Sequence, residues 1–274
     1  MSFYVTKISG HKELFDAEKF ARSLTLSGAS KETIEQLLAD IEKDPYLRST
    51  KKIYAYALDT LQSKNPVVAD RYNIKRALLE LGPAGFPFER FVAALFEAQG
   101  YHIKTDQIIP GFCVDHEIDI MINEGKSHAI VECKYHNKQH IKTDVKVALY
   151  TKARFDDVMK TWAHKDRSLR NAWIVTNTKF TTEAIKYATC SQINLLSWNY
   201  PESRSLIDLI KKYGLHPITA LVGLSKKDKT TLLKKGLVLC KDAQKHTQAF
   251  RELGLGAEAI AQLQQEAIAV CAVD

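Results

Sequence analysis

The sequence predicts a mixed α/β protein: a central sheet with helices on both faces, an α+β unit before it and an all-helical tail after it. Three observations carry that reading. Between Tyr101 and Tyr135, three mostly apolar runs are separated by Pro110-Gly111 and by a short turn at Asn123 to Gly125, as consecutive strands are. From Thr143 to Trp198, helical and strand patterns alternate. Beyond Tyr200-Pro201, only helical patterns remain.

The first unit opens with a strand at Phe3 to Ile8, a turn at Ser9-Gly10 and a returning strand at Lys12 to Phe15. Asp16 then reads as a helix N-cap. Helices are expected at Ala17 to Leu26, at Lys31 to Lys43, after a cap at Ser49 or Thr50, and at Val67 to Leu81. Gly82-Pro83-Ala84-Gly85-Phe86-Pro87 is the clearest punctuation in the chain and sets the first boundary. The expected units are residues 1–85, 86–203 and 204–274. The second begins with a helix at Phe88 to Ala98, whose apolar face carries Glu89 on its border, and continues with a strand at Tyr101 to Ile109. A helix at Thr143 to Trp162, with Val145, Leu149, Phe155, Met159 and Trp162 as its apolar stripe, follows the next two strands. A strand at Ala172 to Thr176, a helix at Thr181 to Thr189 and a strand at Ile193 to Trp198 complete it.

The polar residues inside those strands need a reason, because burying an unpaired carboxylate is costly. Asp119 interrupts the second strand, and Glu132 and Lys134 lie near the end of the third. Side chains two apart on a strand share a face, so Glu132 and Lys134 are expected to project together towards Asp119. Two carboxylates and an ammonium outline a site for a hard divalent cation that activates water against a phosphoryl group. His116, His136 and His140 surround it, either as proton-transfer groups or, more simply, as phosphate contacts or surface residues.

Composition limits the alternatives. The 274 residues are 45% apolar, with no run long enough to cross a membrane and no signal-peptide core at the start, so a cytoplasmic protein is expected. The five cysteines are scattered singly, which suggests neither a zinc site nor a disulfide framework. The net charge is +7, and between Lys134 and Arg170 ten Lys or Arg stand against four Asp or Glu. That excess is either a solvated helix face or a surface for a polyanion, with Lys138, Lys142, Lys146 and Arg154 as the candidate phosphate contacts.

Two resemblances add to this. Val5-Thr6-Lys7, Gly10, the run Glu13 to Lys19, Ser49 to Tyr54 and Ala69-Asp70-Arg71-Tyr72 resemble the ATP-cone domain, the nucleotide-sensing module of ribonucleotide reductases and of their transcriptional repressor. The resemblance implies ATP or dATP binding. Lys7 and Lys19 would meet phosphates, Glu13 to Lys19 would wrap base and ribose, and Thr50 would contribute a hydroxyl. The chain departs from the pattern in the hairpin turn, where Ile8 and Ser9 replace Arg-Asp, and it has no Walker-type phosphate loop.

Phe88-Glu89 with Gly100-Tyr101, Glu117-Ile118-Asp119-Ile120, Glu132-Cys133-Lys134 and Val175-Thr176-Asn177 with Phe180-Thr181 resemble the Mrr-like and junction-resolvase-like branch of the PD-(D/E)xK nucleases. That resemblance implies a restriction-endonuclease-like fold with Mg2+ or Mn2+ held by Asp119 and Glu132, Lys134 as water-orienting or charge-stabilising group, and Glu89 as a further acidic member. In the tail, two helix–Gly–helix segments loosely resemble helix-hairpin-helix modules, with helical packing as the plain alternative. Lys226, Lys227, Lys229, Lys234 and Lys235 lean towards nucleic acid. The expected function is a metal-dependent DNA endonuclease, a homo-oligomer whose assembly or active-site access responds to adenine nucleotide. The alternative is a non-catalytic, nucleotide-responsive DNA-binding protein on the same scaffold.

Overall fold

The computed structural model describes residues 3–7, 10–125, 127–162 and 168–272. In the first unit, strands β1 (Tyr4–Thr6) and β2 (Lys12–Leu14) pair antiparallel with Val5 opposite Glu13. The turn residues Ile8 and Ser9 lie outside the described residues. Four helices follow: α1 (Ala17–Thr25), α2 (Lys31–Lys43), α3 (Thr50–Lys64) and α4 (Pro66–Leu79). Each has a side-chain cap on its orphan N–H groups, from Asp16, Ser30, Ser49 and Asn65 respectively. The choice at the third helix therefore falls on Ser49, and Thr50 is its first helical residue. Val5, Phe15, Leu24, Leu37, Ile41, Ala57 and Leu61 form this unit's core.

Next come α5 (Phe86–Glu97), β3 (His102–Pro110), β4 (Asp115–Glu124), β5 (Ser127–Lys134), β6 (Lys142–Thr143) and α6 (Val145–Trp162). They are followed by β7 (Ser168–Thr176), β8 (Lys179–Phe180), α7 (Thr182–Cys190) and β9 (Ile193–Leu196). The sheet order is β3-β4-β5-β7-β9; β3, β4 and β5 run antiparallel and β5, β7 and β9 parallel. One face packs with α5 through Phe88, Phe91, Val92 and Leu95, all fully buried. The other face packs with α6 and α7.

The helix expected from Thr143 starts at Val145, because Lys142-Thr143 pairs with Lys179-Phe180 as a short parallel ladder. Its stripe also differs. Ala148, Thr151, Val158 and Trp162 are buried and Phe155 packs against them, whereas Leu149 and Met159 are exposed. The helix is turned so that Tyr150 and Arg154 reach the sheet, and the apolar spacing alone carried no sign of that.

The tail comprises α8 (Leu206–Tyr213), α9 (Lys226–Lys234), α10 (Asp242–Lys245), α11 (Thr247–Arg251) and α12 (Ala257–Cys271). Its apolar residues, among them Leu206, Ile210, Leu232, Phe250 and Ala267, merge into one core with α5 and with Ile74, Ala77 and Leu78 of α4. Of the five tail lysines, Lys229 is turned inward, where burial holds its ammonium below the usual range, and Lys235 pairs with Glu252. No helix among the described residues is long and apolar enough to cross a membrane.

Candidate active site

Asp119 sits where strand alternation slips. Ile118 and Met121 pack on the α6 side of the sheet, while Ile120 and Ile122 pack on the α5 side. Opposite, the register pairs Thr105 with Ile120 and Gln107 with Ile118, so Asp106 faces this point, with a left-handed φ of 52° that Asp tolerates better than most residues. Asp119 Oδ2 accepts the Cys133 N–H at 2.7 Å, which ties it to the strand carrying Glu132 and Lys134.

Glu132 and Lys134 do share a face, and they are joined at 2.8 Å through Glu132 Oε1. The Tyr150 hydroxyl donates to the same oxygen at 2.8 Å, and the Arg154 guanidinium pairs with Oε2. Only 6% of the Glu132 side chain is exposed, so its charge is held by these three donors. Arg154, expected at DNA phosphates, is thus turned to the site instead.

Glu89, in the first turn of α5, bends back towards Gly85; a Cβ there would stand 3.0 Å from Glu89 Oε1. Burial and the negative charges of Asp119, Asp106, Glu132 and Glu117 push its carboxyl up to about 7. Burial and the Glu132 charge push Asp119 up to about 6, against the Cys133 N–H and the nearby cations. For Lys134, burial pulls downward, but its interactions with Glu132 and Tyr150 outweigh it and hold the ammonium well above its ordinary value. Burial first, with the Glu132 charge adding, lifts the Tyr150 phenol to about 12.

The three histidines separate. His140 is exposed. The His136 ring bonds the Thr143 hydroxyl at 3.0 Å, and burial and Lys134 hold it below its ordinary value, hence neutral at pH 7. The His116 side chain is 16% exposed. Its ring lies 2.8 Å from Asp157 on α6, and Asp157 also accepts the N–H groups of Cys113 and Val114. This clamp pins the β3–β4 hairpin to α6, and the His116 bond, with those from Cys113 and Val114 and against burial, holds Asp157 down to about 2.

Among the described residues no three His, Cys, Asp or Glu side chains are grouped to hold a metal. The donor chemistry nevertheless suits a hard cation. Asp119 and Glu132 offer oxygens, and Asp119 Oδ1 receives no hydrogen bond among the described residues.

In the first unit, Lys7 pairs with Glu13 at 2.7 Å, and a bridge between Thr6 and Ser49 brings the start of α3, with Thr50, beside β1. The Lys7 bond heads the causes that hold Glu13 below the usual carboxylate range, and Lys19 contributes through its charge. Two residues that the sequence did not single out complete this corner. Burial, then the charges of Lys179, Lys19 and Lys7, hold the Lys75 ammonium down to about 8, and it lies 5.6 Å from the Trp198 ring centre.

The mixed sheet flanked by helices is consistent with a restriction-endonuclease-like fold, and residues 83–200 match the restriction endonuclease family. Residues 216–271 match the family described as AF1548-like, C-terminal. An uncharacterized protein of Archaeoglobus fulgidus (strain ATCC 49558) is 40% identical over 168 residues, covering 61% of this chain and 92% of that one. The crystal structure of AF1548, a protein of unknown function, is 38% identical with a TM-score of 0.56, covering 69% of this chain and 98% of that one. The chain belongs to this AF1548-like family. Residues 1–82 lie outside both matched regions.

Proposed function

We propose that the protein is a Mg2+- or Mn2+-dependent DNA endonuclease built of three units, 1–85, 86–203 and 204–274, and that ATP or dATP bound by the first unit controls it. The observation that carries the nuclease reading is the placement of Asp119, at the slip in the β3–β4 pairing, beside the β5 segment that bears Glu132 and Lys134 in a restriction-endonuclease-like domain. Held by Asp119 and Glu132, a divalent cation would supply an activated water and polarise a phosphoryl oxygen. The backbone N–H of Cys133 fixes Asp119, and Tyr150 fixes Glu132 Oε1. Lys134 Nζ stabilises charge developing on the phosphate. Glu89, poised near 7, takes up the proton that the water releases. Lys138, Lys142 and Lys146, all exposed, contact DNA phosphates.

The nucleotide reading is supported by the convergence of Lys7, Lys19, Lys75 and Lys179, a positive corner suited to a polyphosphate and shared between the first unit and the nuclease domain. Nucleotide there would bias assembly of a homo-oligomer or access to the site. Calorimetry with ATP and dATP tests it; no heat with either would leave the first unit an assembly module.

A second reading is favoured by the engagement of both Glu132 oxygens: a DNA-binding scaffold without catalysis. Plasmid DNA incubated with Mg2+ and wild type, Asp119→Ala or Lys134→Ala separates the two. Nicking by wild type alone is expected. Salt-dependent binding with equal cleavage in all three removes the catalytic assignment.

A further inference from the structure

The three donors on Glu132 divide unequally between its oxygens. Lys134 Nζ and the Tyr150 hydroxyl both bond Oε1, each at 2.8 Å, whereas the partner of Oε2 is Arg154. The Arg154 guanidinium carbon also lies 5.6 Å from the Tyr150 ring centre. No carboxylate other than Glu132 pairs with it among the described residues. Asp119 is arranged in parallel, with Oδ2 fixed by the Cys133 N–H and Oδ1 receiving no hydrogen bond among the described residues. Each carboxylate thus has one oxygen fixed by β5 or by α6 groups that orient it. The two oxygens left to share a cation are Asp119 Oδ1 and Glu132 Oε2, and a guanidinium of this chain already sits on the second.

We propose that Arg154 is the built-in counter-ion of the metal site: it holds Glu132 Oε2 when no metal is bound, and must yield that oxygen for a divalent cation to enter. This rests on the reading of Asp119 and Glu132 as metal ligands. The chemistry favours a swap over coexistence. A guanidinium and a divalent cation on one carboxylate oxygen repel each other, and no other carboxylate pairs with Arg154 among the described residues. Lys134 need not leave, since Oε1 stays with it. Arg154 is therefore a positioning residue that sets the cost of metal entry.

The test is calorimetric titration of Mn2+, without DNA, into the full chain. Wild type, Arg154→Met, Arg154→Ala, Tyr150→Phe, Asp119→Ala and Asp119→Ala/Arg154→Met are compared. Arg154→Met keeps the apolar stem, so the fold survives if truncation to Ala disturbs packing. Expected is an Mn2+ Kd about tenfold lower in Arg154→Met than in wild type, the loss of one competing ion pair. Tyr150→Phe, which acts on Oε1, should leave Kd within about twofold, and both Asp119 variants should abolish binding. A merely structural role for Arg154 would weaken binding, not tighten it. If Arg154→Met and Arg154→Ala bind no tighter than wild type while Asp119→Ala abolishes binding, the counter-ion role fails and the metal site stands. If Tyr150→Phe tightens binding equally, the role does not belong to Arg154. If Arg154→Met binds Mn2+ undiminished by Asp119→Ala, or neither wild type nor Arg154→Met binds at all, the metal reading itself fails and the proposal with it.

Discussion

Two clusters of like charge in this molecule are stressed in opposite senses. Around Asp119, burial first and then neighbouring carboxylates lift Glu89 and Asp119 to about 7 and about 6. Around Lys75, burial first and then the charges of Lys179, Lys19 and Lys7 hold the ammonium down to about 8. The first cluster has partial relief from Lys134 and Arg154, while the second has Glu13 on Lys7. Unpaired charge of one sign at a half-buried place is a standing cost that a ligand of the other sign removes. On the proposed reading, the acidic cluster would accept a cation and the basic corner an anion.

The sharpest way to break the comparison is at the acidic cluster. Lys134→Ala should lower cleavage by about 10²–10³-fold, the usual loss when one transition-state charge partner is removed, with plasmid nicking rates as the measure. Next in size is Asn177→Ala. The Asn177 amide is 2% exposed; its oxygen accepts the His136 N–H at 2.9 Å and its nitrogen donates to the His136 carbonyl at 2.8 Å. Leaving both backbone groups unpaired should cost about 2 kcal/mol in urea unfolding. At the basic cluster, Lys75→Met should weaken ATP binding about tenfold by calorimetry. Unchanged affinity would place the nucleotide elsewhere or nowhere.

The pH dependence of stability should show the two signs directly. An acid whose folded pKa is raised binds more protons folded than unfolded between the two values, so stability falls as pH rises through that window. Asp119→Asn should therefore flatten the fall between about 4 and about 6 relative to wild type, in metal-free thermal melts. A lysine whose folded pKa is lowered binds fewer protons folded than unfolded, so stability rises with pH above the lowered value. Lys75→Met should remove a rise between about 8 and about 10.5. The smallest effect belongs to the exposed lysines: Lys146→Ala should reduce the salt slope of DNA binding by about 0.9 and leave nicking chemistry unaltered.

Much of the acidic cluster was legible because charge interrupts an apolar strand so rarely that Asp119, Glu132 and Lys134 stand out, and their spacing fixes which of them share a face. Tyr150 and Arg154 were not. They reach Glu132 from 18 and 22 residues away, on a helix whose more obvious apolar stripe, through Leu149 and Met159, points to solvent. The i, i+4 spacing of Tyr150 and Arg154 was the one available sign, since it puts both on one side of the helix. Asp106 escaped notice because its role depends on an unusual backbone angle. Lys75 and Lys179 escaped because they meet across a boundary: each is an ordinary helix or turn lysine until the chain folds. The order of the main elements of the domain, by contrast, followed from local patterns, which missed the short β6–β8 ladder and so began the next helix at Thr143, where pairing with Phe180 overrides helix propensity.

The Gly82 to Pro87 stretch, read from sequence as punctuation, is a weld. A Cβ on Gly82 would lie 2.2 Å from the Tyr135 ring, the Gly82 N–H donates to the Tyr135 hydroxyl at 2.9 Å, and that hydroxyl donates to the Leu79 carbonyl at 2.6 Å. Tyr135 directly follows Lys134, so these bonds tie the end of α4 to the end of the strand that carries Lys134. A fragment begun at Phe86 would lack the Leu79 carbonyl that accepts from Tyr135.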